Sequence, residues 1–524
     1  MSESSDSSVS SHSASPVYAP SSPAYSPSSR AYHYFSDHSS DEQFIANRRR
    51  KIDKKSDRLS ALPDSLILHI LSFLRMKYVI RTGALSKRWR LLWTSAQTLI
   101  FRHSAQSNRG VSEFVKFIND TLTLCQPSKL NKFSVEFSYN KRYVNHVNKW
   151  MIVAKTKSVE VLDLYFRTRG FDESYSLPQI MYSNVSFREL SLCNCNLVPK
   201  EAINWPALRV LVIKYAKLSL DLVDAICSGC PALESIKFSM CYGIRRFHID
   251  SESVKKLVIS GYWQPEQEDS DEDDDDDNDR KDLSIWARNV TSLEIRGCFH
   301  KKIPVLDNVQ ALVDAKLNFC RTTNDYENRE SGFRTDQKML KDLLVSLQHV
   351  EKLSIGSWCL QVLTVLEATN SSCPRMRCKY LNLSTRLEEW EVPGLAILLQ
   401  SCPQVEILNI SGKSYYEVYD LGWSFKEDSN DFIGESYWVS RPCLVLHLKT
   451  LRINCSWMCE NYHSEHIISF MEAVLKNGIV LEKIILISSD DGRWYSSTQH
   501  RRRVTEKLLS FPRSSKDAVI LFSG

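Results

Sequence analysis

Residues Val159–Leu164 read VEVLDL, and the spacing apolar-x-x-apolar-x-apolar returns eleven more times: FRELSL at 187, LRVLVI at 208, LESIKF at 233, VKKLVI at 254, VTSLEI at 290, LVDAKL at 312, VEKLSI at 350, CKYLNL at 378, VEILNI at 405, LKTLRI at 448 and LEKIIL at 481. Many of the steps between starts lie between roughly 21 and roughly 29 residues, a period that marks a repeat architecture. Three residues past the last apolar position of a unit stand Cys195, Ala216, Cys241, Cys298, Cys320 and Ser456. A small side chain is wanted there, because the chain turns inward and the site is buried.

This is the period of a leucine-rich repeat. Each unit is expected to place one short strand on a concave face and to return along the convex side through irregular or helical structure such as LSLDLVDAICSGCP. Cys230-Pro231, Cys373-Pro374 and Cys402-Pro403 mark one recurring place just before a strand, where proline stops the convex helix. Cys227 and Cys230 have the spacing of a zinc half-site or a redox pair, but neither a second ligand pair nor a thioredoxin-like setting lies nearby, so structural cysteine is the reading. The longer steps look like insertions. One of them, residues 264–283, carries twelve acids against Arg280 and Lys281, a net of −10, which leaves +15 on the rest of a chain whose total is +5. It lacks the glycine-centred register of a calcium loop, and like charges repel, so a disordered solvated insertion is expected.

Upstream of the repeats, LPDSLILHILSFL runs from Leu62 to Leu74. Wound as a helix, it puts Leu66, Ile67, Ile70, Leu71, Phe73 and Leu74 on one arc of roughly 160°. One neighbouring helix would not cover that arc, and so short a helix needs packing for its stability. Pro63 and Asp64 suit its first turn. The helical pattern continues to about Phe101 through YVIRTGALS and SKRWRLLW, with Ser86 as N-cap and Trp89, Leu92 and Trp93 at helical spacing. These short helices carry more apolar surface than they can cover for one another.

The order of residues resembles the F-box, the helical motif that attaches substrate receptors to a Skp-family adaptor in cullin-RING ubiquitin ligases. Its matching positions are the Leu62-Pro63-Asp64 opening, Leu66, Ile70, Leu71 and Leu74, apolar Val79-Ile80, and the LSKRWR stretch with Leu85, Ser86, Arg88 and Trp89. The resemblance implies that Leu62, Pro63, Leu66, Ile70, Leu71, Leu74, Ile80, Leu85, Ser86, Arg88 and Trp89 meet the adaptor. Residues 444–524, with LKTLRI, the helical ISFMEAVLKNG, VLEKIIL and the closing Leu508–Ser515 segment, resemble the FBD module found at the C-terminus of many plant F-box proteins with leucine-rich repeats. Physically that module can serve as the cap a solenoid needs.

The fold expected is therefore α/β. A disordered Ser-rich tail and basic linker (1–56) precede a three-helix F-box (57–101). A leucine-rich-repeat solenoid, or horseshoe, follows at 102–443, closed by an α+β C-terminal cap at 444–524. Arg48–Lys51, Lys54, Lys55 and Arg58 form two basic clusters that read as an import signal or a solvated linker. No apolar run approaches the roughly 18 residues that span a bilayer. The stretch 1–46 is too polar for a signal peptide. Nucleus or cytoplasm is the expected location, with the fifteen cysteines as thiols and the N-x-S/T matches without meaning. His463, Glu465 and His466 lack metalloprotease spacing, and no Walker loop, GxGxxG or GxSxG occurs. No catalytic residue, cofactor or metal is expected. The functional expectation is a substrate-recognition subunit that binds the adaptor through the F-box and an unidentified protein target through the repeats. The alternative is a repeat scaffold or nucleic-acid binder whose basic body meets an acidic partner. Lysines and arginines such as Arg188, Arg209, Lys255, Lys352, Lys449 and Lys483 sit between the strand apolars; exposed lysine is the ordinary surface, so no target is read from them.

Overall fold

Strands whose alternate residues are all aliphatic bury one face, and a solenoid satisfies them by laying each beside the next. The computed structural model describes residues 59, 61–103, 110–168, 173–262, 282–299, 303–320, 329–368, 373–385, 387–412, 437–438, 441–454, 465–487 and 498–523. Their centre is a parallel sheet of fifteen strands in sequential order. These are β1 (Thr98–Arg102), β2 (Lys132–Ser138), β3 (Val161–Arg167), β4 (Glu189–Cys193), β5 (Val210–Lys214), β6 (Ser235–Cys241), β7 (Lys256–Tyr262) and β8 (Ser292–Gly297). They continue as β9 (Asp314–Phe319), β10 (Lys352–Gly356), β11 (Tyr380–Ser384), β12 (Ile407–Ser411), β13 (Thr450–Asn454), β14 (Lys483–Ile487) and β15 (Val519–Ser523). Each of the twelve repeated units supplies one strand, in constant register: Leu162 faces Leu190, then Leu211, Ile236, Leu257 and Leu293. All are buried.

The inward turn after the strand has its own stack. Asn194, Tyr215, Met240, Gly261 and Gly297, each two residues past the last apolar position, all take positive φ between 51° and 85°. A Cβ on Gly261 would lie 2.5 Å from the Met240 sulfur and 3.1 Å from the Cys298 carbonyl oxygen, so glycine fits there. One residue later come Cys195, Ala216 and Cys241, all buried as expected, whereas Cys298 and Cys320 are half-buried with their sulfurs 2.7 Å apart. Ser456 lies outside the described residues.

The returns differ along the solenoid. In the unit that starts at 208, Leu220–Gly229 makes a helix that Ser219 caps through the Leu222 N–H, as its hydroxyl oxygen suits an N-cap, and Cys230-Pro231 follows its end. In the units that start at 233, 254 and 290 the described part of the return holds an extended strand, and Arg246–His248, Asp282–Trp286 and Ile303–Asp307 pair as a second parallel sheet. Asp282 and Leu283 therefore belong to a strand and not to the acidic insertion; that run up to Lys281 lies outside the described residues, as do the tail and basic clusters at 1–58. Helices return at Arg329–Ser346, Ser357–Ala368, Val392–Ser401, Glu465–Asn477 and Thr498–Ser510. No described helix is long and apolar enough to cross a membrane.

Three strands of the fifteen-stranded sheet also differ from the sequence expectation. The helical region ends at Ser95, not Phe101, because β1 begins at Thr98 and pairs with β2. Both carry the repeat spacing with aromatic residues in it: Ala96, Leu99 and Phe101, then Leu130, Phe133 and Val135. Phe101 and Phe133 meet edge to face at 6.1 Å, and Phe137 and Phe166 at 5.4 Å. Aromatic rings thus fill the first turns where leucine fills the later ones. Beyond the last repeated unit, β15 adds an outer strand on which Val519, Leu521 and Phe522 stay exposed.

Candidate docking surface

Ahead of β1 stand three α-helical pieces, α1 (Asp64–Ser72), α2 (Met76–Arg81) and α3 (Trp89–Leu92), with short 3-10 turns at Thr82–Ala84 and Trp93–Ser95. Pro63 opens α1 in an extended conformation, and Asp64 sits in its first turn, the placement that suits both residue types. The Asp64 carboxylate accepts a hydrogen bond from Arg88 Nε at 2.9 Å and pairs with the same guanidinium, clipping α1 to the start of α3. Both side chains are exposed, so the clip orients more than it stabilises. Ser86 Oγ accepts from the Trp89 N–H at 3.4 Å.

The apolar arc of α1 divides into two stripes of i, i+4, i+7 spacing. Ile67 and Leu71 are buried and Leu74 packs against the core beside them. Leu66, Ile70 and Phe73 point outward, Phe73 with 73% of its surface exposed and its ring braced edge-on by His69 at 5.0 Å. Tyr78, Leu85 and Leu91 are exposed as well, Leu91 to 70%.

Of the residues expected at the adaptor, Pro63, Leu66, Ile70, Leu85 and Arg88 are thus exposed, and Leu62, Leu74, Ile80 and Ser86 half-buried. Leu71 and Trp89 are buried in the chain's own core, where they hold the helices together instead of presenting a surface. Sequence reasoning left out Phe73, Tyr78 and Leu91. For Phe73 the signal was present, since it continues the Leu66–Ile70 stripe.

Elsewhere the candidate chemistry is muted. Burial pushes the Cys227 thiol up to about 11 and Cys230 to about 12, leaving little thiolate at neutral pH. Among the described residues no group of His, Cys, Asp and Glu could hold a metal ion; His463 lies outside them. Several of the noted cations are paired: Arg188 with Glu160 at 3.5 Å, Arg209 with Glu234 at 3.5 Å and Lys449 with Glu406 at 2.7 Å.

Comparison with known proteins agrees with this geometry. The F-box domain family matches residues 59–100, and the leucine-rich-repeat family of FBD-associated F-box protein At5g56370 matches residues 147–324. The chain is 28% identical over 447 residues to Arabidopsis thaliana protein At3g18150, named as an F-box/LRR-repeat protein, covering 84% of this chain and 89% of that one. It is 27% identical over 440 residues to the Arabidopsis F-box/LRR-repeat protein At5g02910, covering 83% and 89%. With F-box helices leading directly into repeats of this type, along most of the length of relatives so named, the chain carries an F-box domain followed by leucine-rich repeats of the FBD-associated type and is similar to plant F-box/LRR-repeat proteins.

Proposed function

We propose that the chain is the substrate-recognition subunit of a Skp-cullin-F-box ubiquitin ligase, docking on a Skp-family adaptor through its N-terminal helices and holding a protein target on its repeats. The observation that carries this reading is the outer stripe of α1. Leu66, Ile70 and Phe73 stay exposed although the inner stripe is fully packed, so the apolar surplus is not absorbed by the domain behind it. Exposed apolar rows of this kind, rimmed by polar residues, are interaction surfaces. Leu71 and Trp89 act in this reading as supports, and Phe73 joins Leu66 and Ile70 in the contact. Catalysis belongs to other subunits; this chain's contribution is effective concentration, which tethering raises to about millimolar for a suitable geometry. Nucleus or cytoplasm is the proposed location.

Calorimetric titration of a plant Skp-family adaptor into the full chain tests it. Burial of a leucine and an isoleucine contributes about 1.5–3 kcal/mol each, so Leu66→Asp with Ile70→Asp is expected to weaken binding by about 100-fold or more while circular dichroism stays unchanged. Absence of binding by both proteins would favour a repeat scaffold. Steep salt dependence of nucleic-acid binding would favour a nucleic-acid partner instead.

A further inference from the structure

On β5 to β8 the residues that alternate with the core apolars share the open face of the sheet, and the register sorts them into rows. One row reads Lys214, Ser239, Ser260, Arg296 across four neighbouring strands. In the adjoining row Lys237 lies between Val212 and Val258, with Glu294 next. At about 4.8 Å between strands, the ends of the first row are about 14 Å apart, within reach of long side chains from both sides.

At its middle lies a buried hydroxyl. Ser239 is only 8% exposed, and its Oγ has no hydrogen-bond partner among the described residues. That is an uncommon state for a buried polar atom. Ser260 Oγ accepts from Arg296 Nε at 3.2 Å, and the same guanidinium pairs with Glu294 at 3.1 Å. The Lys214 ammonium lies 5.8 Å from the Tyr165 ring. Lys237 is half-buried and makes no ion pair with any described residue; burial, then Arg296 and Lys214, hold its ammonium below the ordinary lysine value, while Glu294 opposes them. Within the two rows, three cations and one carboxylate leave a surplus of two positive charges beside Ser239, and Lys256 adds a further positive charge one row away.

We propose that this patch binds a phosphoryl group, gripped by Lys214, Lys237 and Arg296 with the Ser239 hydroxyl as a neutral donor. A phosphoryl monoester carries about −1.5 to −2 near neutral pH, which matches the surplus; a single carboxylate matches half of it. The guanidinium fork suits its oxygens. The inference deepens the receptor reading, resting on it only for what carries the phosphoryl group, and its test does not involve the adaptor, so either can fail alone.

Three probes are titrated separately into the full chain at low salt: inorganic phosphate, a phosphoserine peptide and the same peptide with glutamate in place of phosphoserine. Saturable binding of the phosphorylated probes is expected. It should weaken about tenfold in Lys237→Gln and in Arg296→Gln, severalfold in Ser239→Ala, and not at all in Lys483→Gln on distant β14. A phosphopeptide that binds more tightly than phosphate assigns the group to a protein target; equal binding assigns it to a small phosphorylated ligand. No saturable binding, equal loss in Lys483→Gln, or a glutamate peptide binding as well as the phosphopeptide would overturn the proposal. So would binding seen only after residues 264–281 are removed, which would give the patch to the chain's own acidic run.

Discussion

Glu391 is a carboxyl almost without access to water, 1% exposed. Ser357 and Thr385 donate their hydroxyls to it, and the Glu388 N–H donates at 2.9 Å, all of which favour the carboxylate. Burial outweighs them and raises the group from the ordinary value of 4.5 to about 7, since desolvation disfavours the charged form. A folded-state value above the unfolded one means that the native chain keeps a proton the unfolded chain has lost. Its contribution is therefore full below about pH 4.5 and falls as pH rises towards about 7, by on the order of 3 kcal/mol in all. Glu391→Gln keeps an acceptor for the hydroxyls and removes the proton equilibrium. The thermal unfolding midpoint at pH 5 minus that at pH 7.5 should be smaller in the variant than in the parent. Equal separation in the two would mean that Glu391 does not titrate in this range.

Helix α1 separates two demands that share one short sequence. Ile67 and Leu71 belong to the core, Leu66, Ile70 and Phe73 to the surface, and substitutions should sort the same way. Ile67→Ala is expected to lower stability by about 2–5 kcal/mol with adaptor affinity retained in the folded fraction. Phe73→Ala should change stability by less than about 0.5 kcal/mol and weaken the adaptor complex, because little of Phe73 is buried in the free chain. Denaturation and titration of both variants check this; a Phe73→Ala chain that binds normally would take Phe73 out of the contact. Periodicity alone put all six residues on one arc, since angle around a helix says nothing of what lies against each half. The repeats were more legible: from Val159 to Leu486 every strand of the fifteen-stranded sheet follows from buried apolar residues at fixed spacing, whereas the second sheet on the returns carries no such repeat. β1 was hidden because its Leu99, Ile100 and Phe101 prolong the apolar character of the helices before them. The phosphoryl patch was hidden for another reason, as Lys214, Lys237, Ser239 and Arg296 come together only through register across four strands.

At the scale of the molecule, the resemblance to an F-box suggests a separate N-terminal domain, but the packing joins it to the repeats. Ile67, Leu71, Met76, Val79, Trp89 and Trp93 form one continuous apolar cluster with Leu99, Phe101 and Phe133. α1 and α2 pack against β1, so the helices cover the first edge of the solenoid with their inner face and leave the outer face exposed. Terminal repeats need such a cover, because each turn is stabilised only by its neighbours. Helices of nine, six and four residues cannot in turn hold themselves in water. Residues 59–95 alone are therefore expected to show little helix by circular dichroism. A chain beginning at Ala96 should lose amide protection over β1 to β3 and self-associate through uncovered Leu99 and Phe101, while β12 to β14 keep theirs, since destabilisation in a solenoid stays near the turn that lost its neighbour. Hydrogen exchange of the full and shortened chains distinguishes this from an independent module: an autonomous F-box would fold alone and leave protection of β1 unchanged. If the edge is shared, a disturbance of the helices is felt in the first repeats before any other, because β1 is the strand through which they meet the solenoid.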